Sequence, residues 1–247
     1  MDDVSTGPEA ITQLEMTHRL PRARVVDRVP FLVEAVRGRR AAHLGFVDTG
    51  CWQLHERLDL WIHAHLDRAA SHLVGIDVDE AGVERARANG YEAYLADGRD
   101  PDALASLPID PVEVVVAGEV IEHIDDVGSF LSGLRPLVEP GGRLVLTTPN
   151  ASGLLNSVAA VAGYEVNHPD HVVLFSWYTL SNLLARHGWE VEEVATYVPK
   201  VKDMAGLTGR AKLLGRGAAV LLAVERLLGR IGRPFAADGL IVVARRN

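Results

Sequence analysis

The chain's 247 residues predict a single α/β domain, 1–247, on a doubly wound and mostly parallel sheet with helices on both faces. Short β-rich apolar runs alternate with helical patterns, which is how βαβ units read in a sequence. Two of those runs, VEVVVA and RLVLTT, are almost unbroken in Val and Leu, as suits central strands covered on both faces. The last two runs alternate apolar with polar residues, as an edge hairpin would.

In chain order, residues 1–38 hold two helices, about Pro8–His18 and Pro21–Arg37, and residues 39–198 form the core. The first strand is Ala41–Leu44. A helix over Cys51–Ala70 follows, because Leu54, Leu58, Trp61, Ile62 and Leu66 recur at helical spacing. The second strand, His72–Ile76, leads to a helix over Asp79–Asn89 that Gly90 ends. The third strand is Tyr91–Leu95, the fourth Val112–Ala117 and the fifth Arg143–Thr148. Pro149 and Asn150 close the fifth strand, and residues 150–166 begin a lid. Ser176 opens the next helix as its N-cap. The sixth strand, Glu190–Tyr197, is separated by a helical insertion, 199–236, from a seventh, Gly239–Ala244, in the terminal stretch 237–247.

A net charge of −8 repels a phosphate backbone, so nucleic acid is a disfavoured partner. The lone cysteine, Cys51, has no internal disulfide partner, and the opening residues MDDVSTGPEA lack the blocks of a signal peptide. A cytoplasmic location is expected. No apolar run approaches the ~20 residues that cross a bilayer.

Three strand ends carry ligand chemistry. Gly45 follows the first strand, where the absence of a Cβ lets a ligand approach the backbone. Asp77 ends the second strand, where a carboxylate accepts from both hydroxyls of a ribose. Asp97 ends the third, within reach of an exocyclic amine such as that of adenine. Together they point at one nucleoside.

The motifs GIDVD, ADG, VVVAGEVIEHI, EPGGRLVLTTPN and HPDHVVLFS, in this order over residues 39–194, resemble those of class I S-adenosylmethionine-dependent methyltransferases. The resemblance implies a seven-stranded, Rossmann-like mixed sheet of order 3-2-1-4-5-7-6 with strand 7 antiparallel. It places the cofactor across the carboxyl ends of the first four strands and the substrate above the fourth and fifth. The implied cofactor residues are Gly45, Phe46, Val47, Asp77, Val78, Asp97, Gly98, Gly118 and Glu119. Two positions depart from the family pattern: His43 stands where an acid is usual, and Val47 where a glycine is usual. The stretch from Gly50 to Asp77 is also longer than usual. His43 is expected to face the sheet's flank.

After the fourth strand, a helical turn would bring Glu119, Glu122 and His123 to one face at i, i+3 and i+4. Two carboxylates and an imidazole suit a divalent cation such as Mg²⁺ or Mn²⁺, with His168 or His171 as a further ligand. The set Glu119, Glu122, His123 and His171 resembles the metal site of small-RNA terminal 2′-O-methyltransferases. The same Glu-His pair also occurs in metal-free small-molecule methyltransferases, with Glu122 supporting a loop and His123 orienting substrate. For removal of an acceptor proton, His123 and His171 rank ahead of His168, which sits beside Pro169 and more simply fixes its loop.

The insertion is basic in an acidic chain. Over 204–231 its Lys and Arg residues accompany Leu213, Leu214, Val220, Leu221, Val224, Leu227, Leu228 and Ile231, the pattern of an amphipathic helix lying at a membrane surface. The competing roles are a cover for the cleft and a homodimer surface. The expected activity is methyl transfer to oxygen on a small molecule, a sugar or a lipid-linked saccharide. A metal-dependent RNA 2′-O-methyltransferase and a non-catalytic methyltransferase-like binding protein are the alternatives. A nicotinamide-dependent oxidoreductase is disfavoured, because the first loop lacks the glycine set that admits a pyrophosphate.

Overall fold

The computed structural model describes residues 17–47, 61–199 and 209–247. Most of the expected helix Pro8–His18, the first part of Cys51–Ala70, and residues 200–208 of the insertion lie outside them. The strands are β1 (Val25–Val26), β2 (Arg40–Leu44), β3 (His72–Asp77), β4 (Ala93–Leu95), β5 (Val112–Gly118), β6 (Val138–Pro149), β7 (Trp189–Tyr197) and β8 (Gly239–Arg246). Together they make one sheet of order β1-β7-β8-β6-β5-β2-β3-β4, with β8 antiparallel between β6 and β7. Without β1, this is the order the sequence implied.

The eighth strand corrects the expected helix Pro21–Arg37. Val25 and Val26, both β-branched, pair in parallel with Thr196 and Tyr197, and the Thr196 N–H donates to the Arg24 carbonyl at 3.0 Å. Helix α1 therefore begins only at Arg28 and runs to Val36. Other boundaries move too. The third strand shortens to Ala93–Leu95, because the Tyr91 N–H donates to the Ala86 carbonyl at the end of α3, at 3.0 Å, instead of to a sheet partner. The fifth lengthens backward to Val138, across a register shift opposite Val112 and Val114.

Alternation along β5 divides the core into two layers. Val114 and Val116 pack with Leu32, Val36 and Leu66 on one face, while Val115 and Ala117 pack with Phe130, Leu131 and Leu146 on the other. Each large apolar side chain so buried contributes about 1.5–3 kcal/mol, and this two-faced burial requires the nearly continuous Val and Leu runs. Short helices α2 (Ile62–Asp67), α3 (Glu80–Ala88), α4 (Pro101–Ala105) and α5 (Val127–Gly133) join these strands. Helix α3 starts where the side chain of Asp79 accepts from the Gly82 N–H and ends before Gly90, whose φ of 87° is left-handed.

Helices α6 (Leu154–Val161) and α7 (Trp177–Arg186) follow β6, with a capping box between Ser176 and Thr179 starting α7. Asn150 is fully buried and structural: its amide donates to the carbonyls of Phe235 and Ala237, and its Oδ1 accepts from the Ser152 N–H. The insertion contains one long helix, α8 (Gly209–Arg230). Its buried Glu225 accepts from the Leu155 and Asp238 N–H groups. These bonds tie α8 to the carboxyl end of the sheet, and burial, with Asp238 next to it, pushes the Glu225 carboxyl up to about 8.

Candidate active site

A cleft of ≈ 740 Å³ opens across the carboxyl ends of β2, β3, β4 and β5. All nine residues expected at the cofactor line it. This is the crevice at which open α/β sheets place their ligands.

The floor depends on close approach between loops. Gly45 has φ +65°, and a Cβ there would lie 2.4 Å from Cγ2 of Val120, so the loop after β2 touches the loop after β5 only because position 45 is glycine. Phe46 is buried, and its carbonyl accepts from the indole N–H of Trp61 at 2.8 Å. Val47, in place of the usual glycine, is accommodated by a second glycine: a Cβ on Gly82 in α3 would lie 2.3 Å from the Val47 side chain. The departure in one loop is thus matched by space in the next helix.

Asp77 is 8% exposed at the end of β3. Its Oδ2 accepts from the Val47 N–H at 2.8 Å and its Oδ1 from the Asp79 N–H at 3.0 Å. Desolvation raises its pKa and these backbone donors oppose the rise. Each oxygen retains a lone pair for a ribose hydroxyl. Asp97 is held below the usual carboxylate range by Arg99, whose guanidinium contacts both oxygens at 2.7 to 3.0 Å. An adenine amine at Asp97 would share the carboxylate with Arg99, which the sequence reading did not assign.

His43 lies beneath the cleft with its side chain on the sheet's flank, as expected, stacked on the buried His63 of α2 with the two Nδ1 atoms 3.3 Å apart. Burial, reinforced by His63 and Arg28, drives the pKa of His43 well below the ordinary imidazole value and keeps it neutral.

Glu119 is the described non-glycine residue with positive φ, 58°. That left-handed backbone takes it out of the helical turn, which begins only at Ile121 and spans Ile121–His123. Its side chain turns instead to an anchor of three donors: its Oε1 accepts from Thr147 Oγ1 at 2.8 Å and the Tyr197 hydroxyl at 2.7 Å, and lies 3.1 Å from the Arg28 guanidinium. Glu119 therefore leaves the expected four-residue metal set. Glu122, His123 and His171 remain together, with one donor atom from each within 4.8 Å of the others. Arg28 lines the cleft from α1 and Tyr197 supports Glu119 from the end of β7, and neither carries a local signal in the sequence. Gly239 faces Tyr197 across the sheet and leaves room for its ring.

The three histidines fall into distinct roles by hydrogen bonding. Nδ1 of His123 lies 3.1 Å from the Asp170 carbonyl, and Nδ1 of His171 2.7 Å from Asn167 Oδ1. These oxygens only accept, so both Nδ1 atoms carry hydrogen and both Nε2 atoms keep lone pairs. His168 is reversed, since its Nδ1 accepts from the Asp170 N–H. Of the two with a free Nε2, His123 lines the cleft; His171 lies behind it, Nε2 4.0 Å from Glu122 Oε1. Glu122 is fully buried, and burial together with Glu119 raises it to about 8. Burial and the neighbouring histidines lower His171.

The strand order, with its antiparallel β8 and a crevice over four parallel strand ends, is that of the class I S-adenosylmethionine-dependent methyltransferase fold. The comparisons agree: residues 47–194 match the family described as Methyltransferase domain, and the chain belongs to that family. A protein of Mycolicibacterium smegmatis named "Probable S-adenosylmethionine-dependent methyltransferase" is 31% identical over 146 residues, 50% of this chain and 54% of its own. A ubiquinone biosynthesis O-methyltransferase of Rhodopseudomonas palustris is 33% identical over 100 residues, 40% of each chain. The chain thus spans about half or less of the length of these relatives. The crystal structure of a SAM-dependent methyltransferase from Archaeoglobus fulgidus shares the fold, with TM-score 0.55 at 16% identity over 89% of this chain and 91% of that one.

Proposed function

We propose that the chain transfers the methyl group of S-adenosylmethionine to a hydroxyl oxygen of a small molecule, a sugar or a lipid-linked saccharide. The observation that carries this reading is His123, which presents a lone pair on Nε2 in the cleft while Asp170 fixes its ring. The acceptor oxygen attacks the methyl carbon in line, the carbon–sulfur bond breaks, and its electrons return to sulfur as S-adenosylhomocysteine forms. The hydroxyl proton passes to His123. Little covalent chemistry remains for the protein beyond alignment, exclusion of water and acceptance of that proton. The O-methyltransferase name of one relative supports oxygen as the acceptor, and the net charge of −8 argues against RNA.

A second reading rests on the Glu122, His123 and His171 cluster, which offers nitrogen and oxygen donors suited to a divalent cation. When bound, such an ion would polarise a vicinal diol. One assay separates the two. With methyl-labelled S-adenosylmethionine and a panel of phenols, catechols and polyols, mass spectrometry is expected to find an O-methyl product whether or not a chelator is present. Abolition by chelator would favour the cation, and label on nitrogen alone would overturn oxygen transfer.

A further inference from the structure

The outer face of α8 takes no part in the cleft. Leu213, Val220, Val224, Leu227 and Ile231 follow one another at steps of seven, four, three and four residues. At about 100° per residue they fall on one narrow stripe, and at about 1.5 Å per residue the stripe is roughly 27 Å long. The side chains stand in solvent: Leu213 is 70% exposed, Val220 63%, Leu227 56% and Ile231 66%. The opposite face is the one that docks, with Leu222 and Glu225 buried and Gly229 closing on Val25. The exposed stripe is therefore not core displaced by a loose helix.

Charge decides what covers it. The helix carries five basic residues, Arg210, Lys212, Arg216, Arg226 and Arg230, and one acid, the buried Glu225. Just past the stripe, Arg233 lines a cavity of ≈ 1270 Å³ together with Arg19 and Arg22, and among the described residues no carboxylate borders that cavity. In a chain of net charge −8, this end of the molecule is cationic and apolar at once.

We infer that α8 lies on the surface of an anionic phospholipid bilayer, its stripe in the acyl boundary and its arginines among the phosphates. A second copy of the chain fits less well. Read as heptads, the stripe occupies a and d positions, and the flanking g positions are Arg216, Ala223 and Arg230 with no acid opposite in either orientation. Self-pairing would set arginine against arginine or against leucine. Among the described residues no helix is long and apolar enough to cross a membrane, so the contact is peripheral.

The test is sedimentation of the full chain with vesicles of phosphatidylcholine alone or mixed with phosphatidylglycerol. The wild type is expected to pellet with the anionic vesicles only. Val220→Asp combined with Leu227→Asp, and separately Arg216→Glu combined with Arg230→Glu, are each expected to weaken partitioning at least tenfold. Thermal unfolding should not change, because all four side chains lie outside the core. Equal pelleting of the variants, or none by the wild type, overturns the inference. So does a wild-type dimer by light scattering that the Val220→Asp, Leu227→Asp variant converts to monomer without any vesicle binding.

Discussion

Asp77→Ala is expected to lower the affinity for S-adenosylmethionine by roughly two to four orders of magnitude. The carboxylate has two tasks. Its oxygens hold the N–H groups of Val47 and Asp79, which fix the loops on either side of the ribose position. Their remaining lone pairs accept the two ribose hydroxyls, and hydrogen bonds to a charged group contribute about 1.5–3 kcal/mol each. Two such bonds, at about 1.4 kcal/mol per tenfold, account for a loss of that size. Equilibrium dialysis with labelled cofactor measures it, with circular dichroism to confirm that the variant folds. Undiminished binding by a folded variant would remove Asp77 from the site.

His123→Asn should lower turnover by roughly 10²- to 10⁴-fold, the usual contribution of a positioned general base. Asparagine sets an amide N–H near the place of Nδ1, so the tie to the Asp170 carbonyl survives while the basic Nε2 is lost. Cofactor affinity should change less than about threefold, because Asp77 and Asp97 hold the opposite end of the ligand. His168→Ala should cost far less than His123→Asn, since the His168 Nδ1 lone pair is already engaged by the Asp170 N–H. Steady-state kinetics of the two variants decide the assignment. A His123→Asn enzyme with near-normal turnover would mean that proton removal lies elsewhere.

Much of the scaffold was legible in the sequence because its signals are local. The Val-rich runs fix buried strands wherever they fall, and Asp79, Gly90 and Ser176 mark helix ends through contacts within a few residues. The place of Asp77 at a strand end was legible from its position alone, as the polar stop of an apolar strand. What escaped depends on distant partners. Val25 and Val26 become a strand only because Thr196 and Tyr197 come beside them, some 170 residues later in the chain. Glu119 looked like the first residue of a metal-binding turn, and the signal that it is not lies in its left-handed backbone and in Arg28, Thr147 and Tyr197. The space for Val47 comes from Gly82, on the next helix. His171 matched His123 in the sequence motif, yet only His123 reaches the cleft.

Bound in this crevice, S-adenosylmethionine is expected to place its ribose at Asp77. A crystal structure of the complex with S-adenosylhomocysteine tests it most directly. Both ribose hydroxyls are expected within hydrogen-bonding distance of the Asp77 carboxylate, with the adenine beside Asp97 and Gly98 and the sulfur turned toward Glu119 and His123. A nucleoside bound away from Asp77, or a saturated crystal with this crevice vacant, would contradict the account.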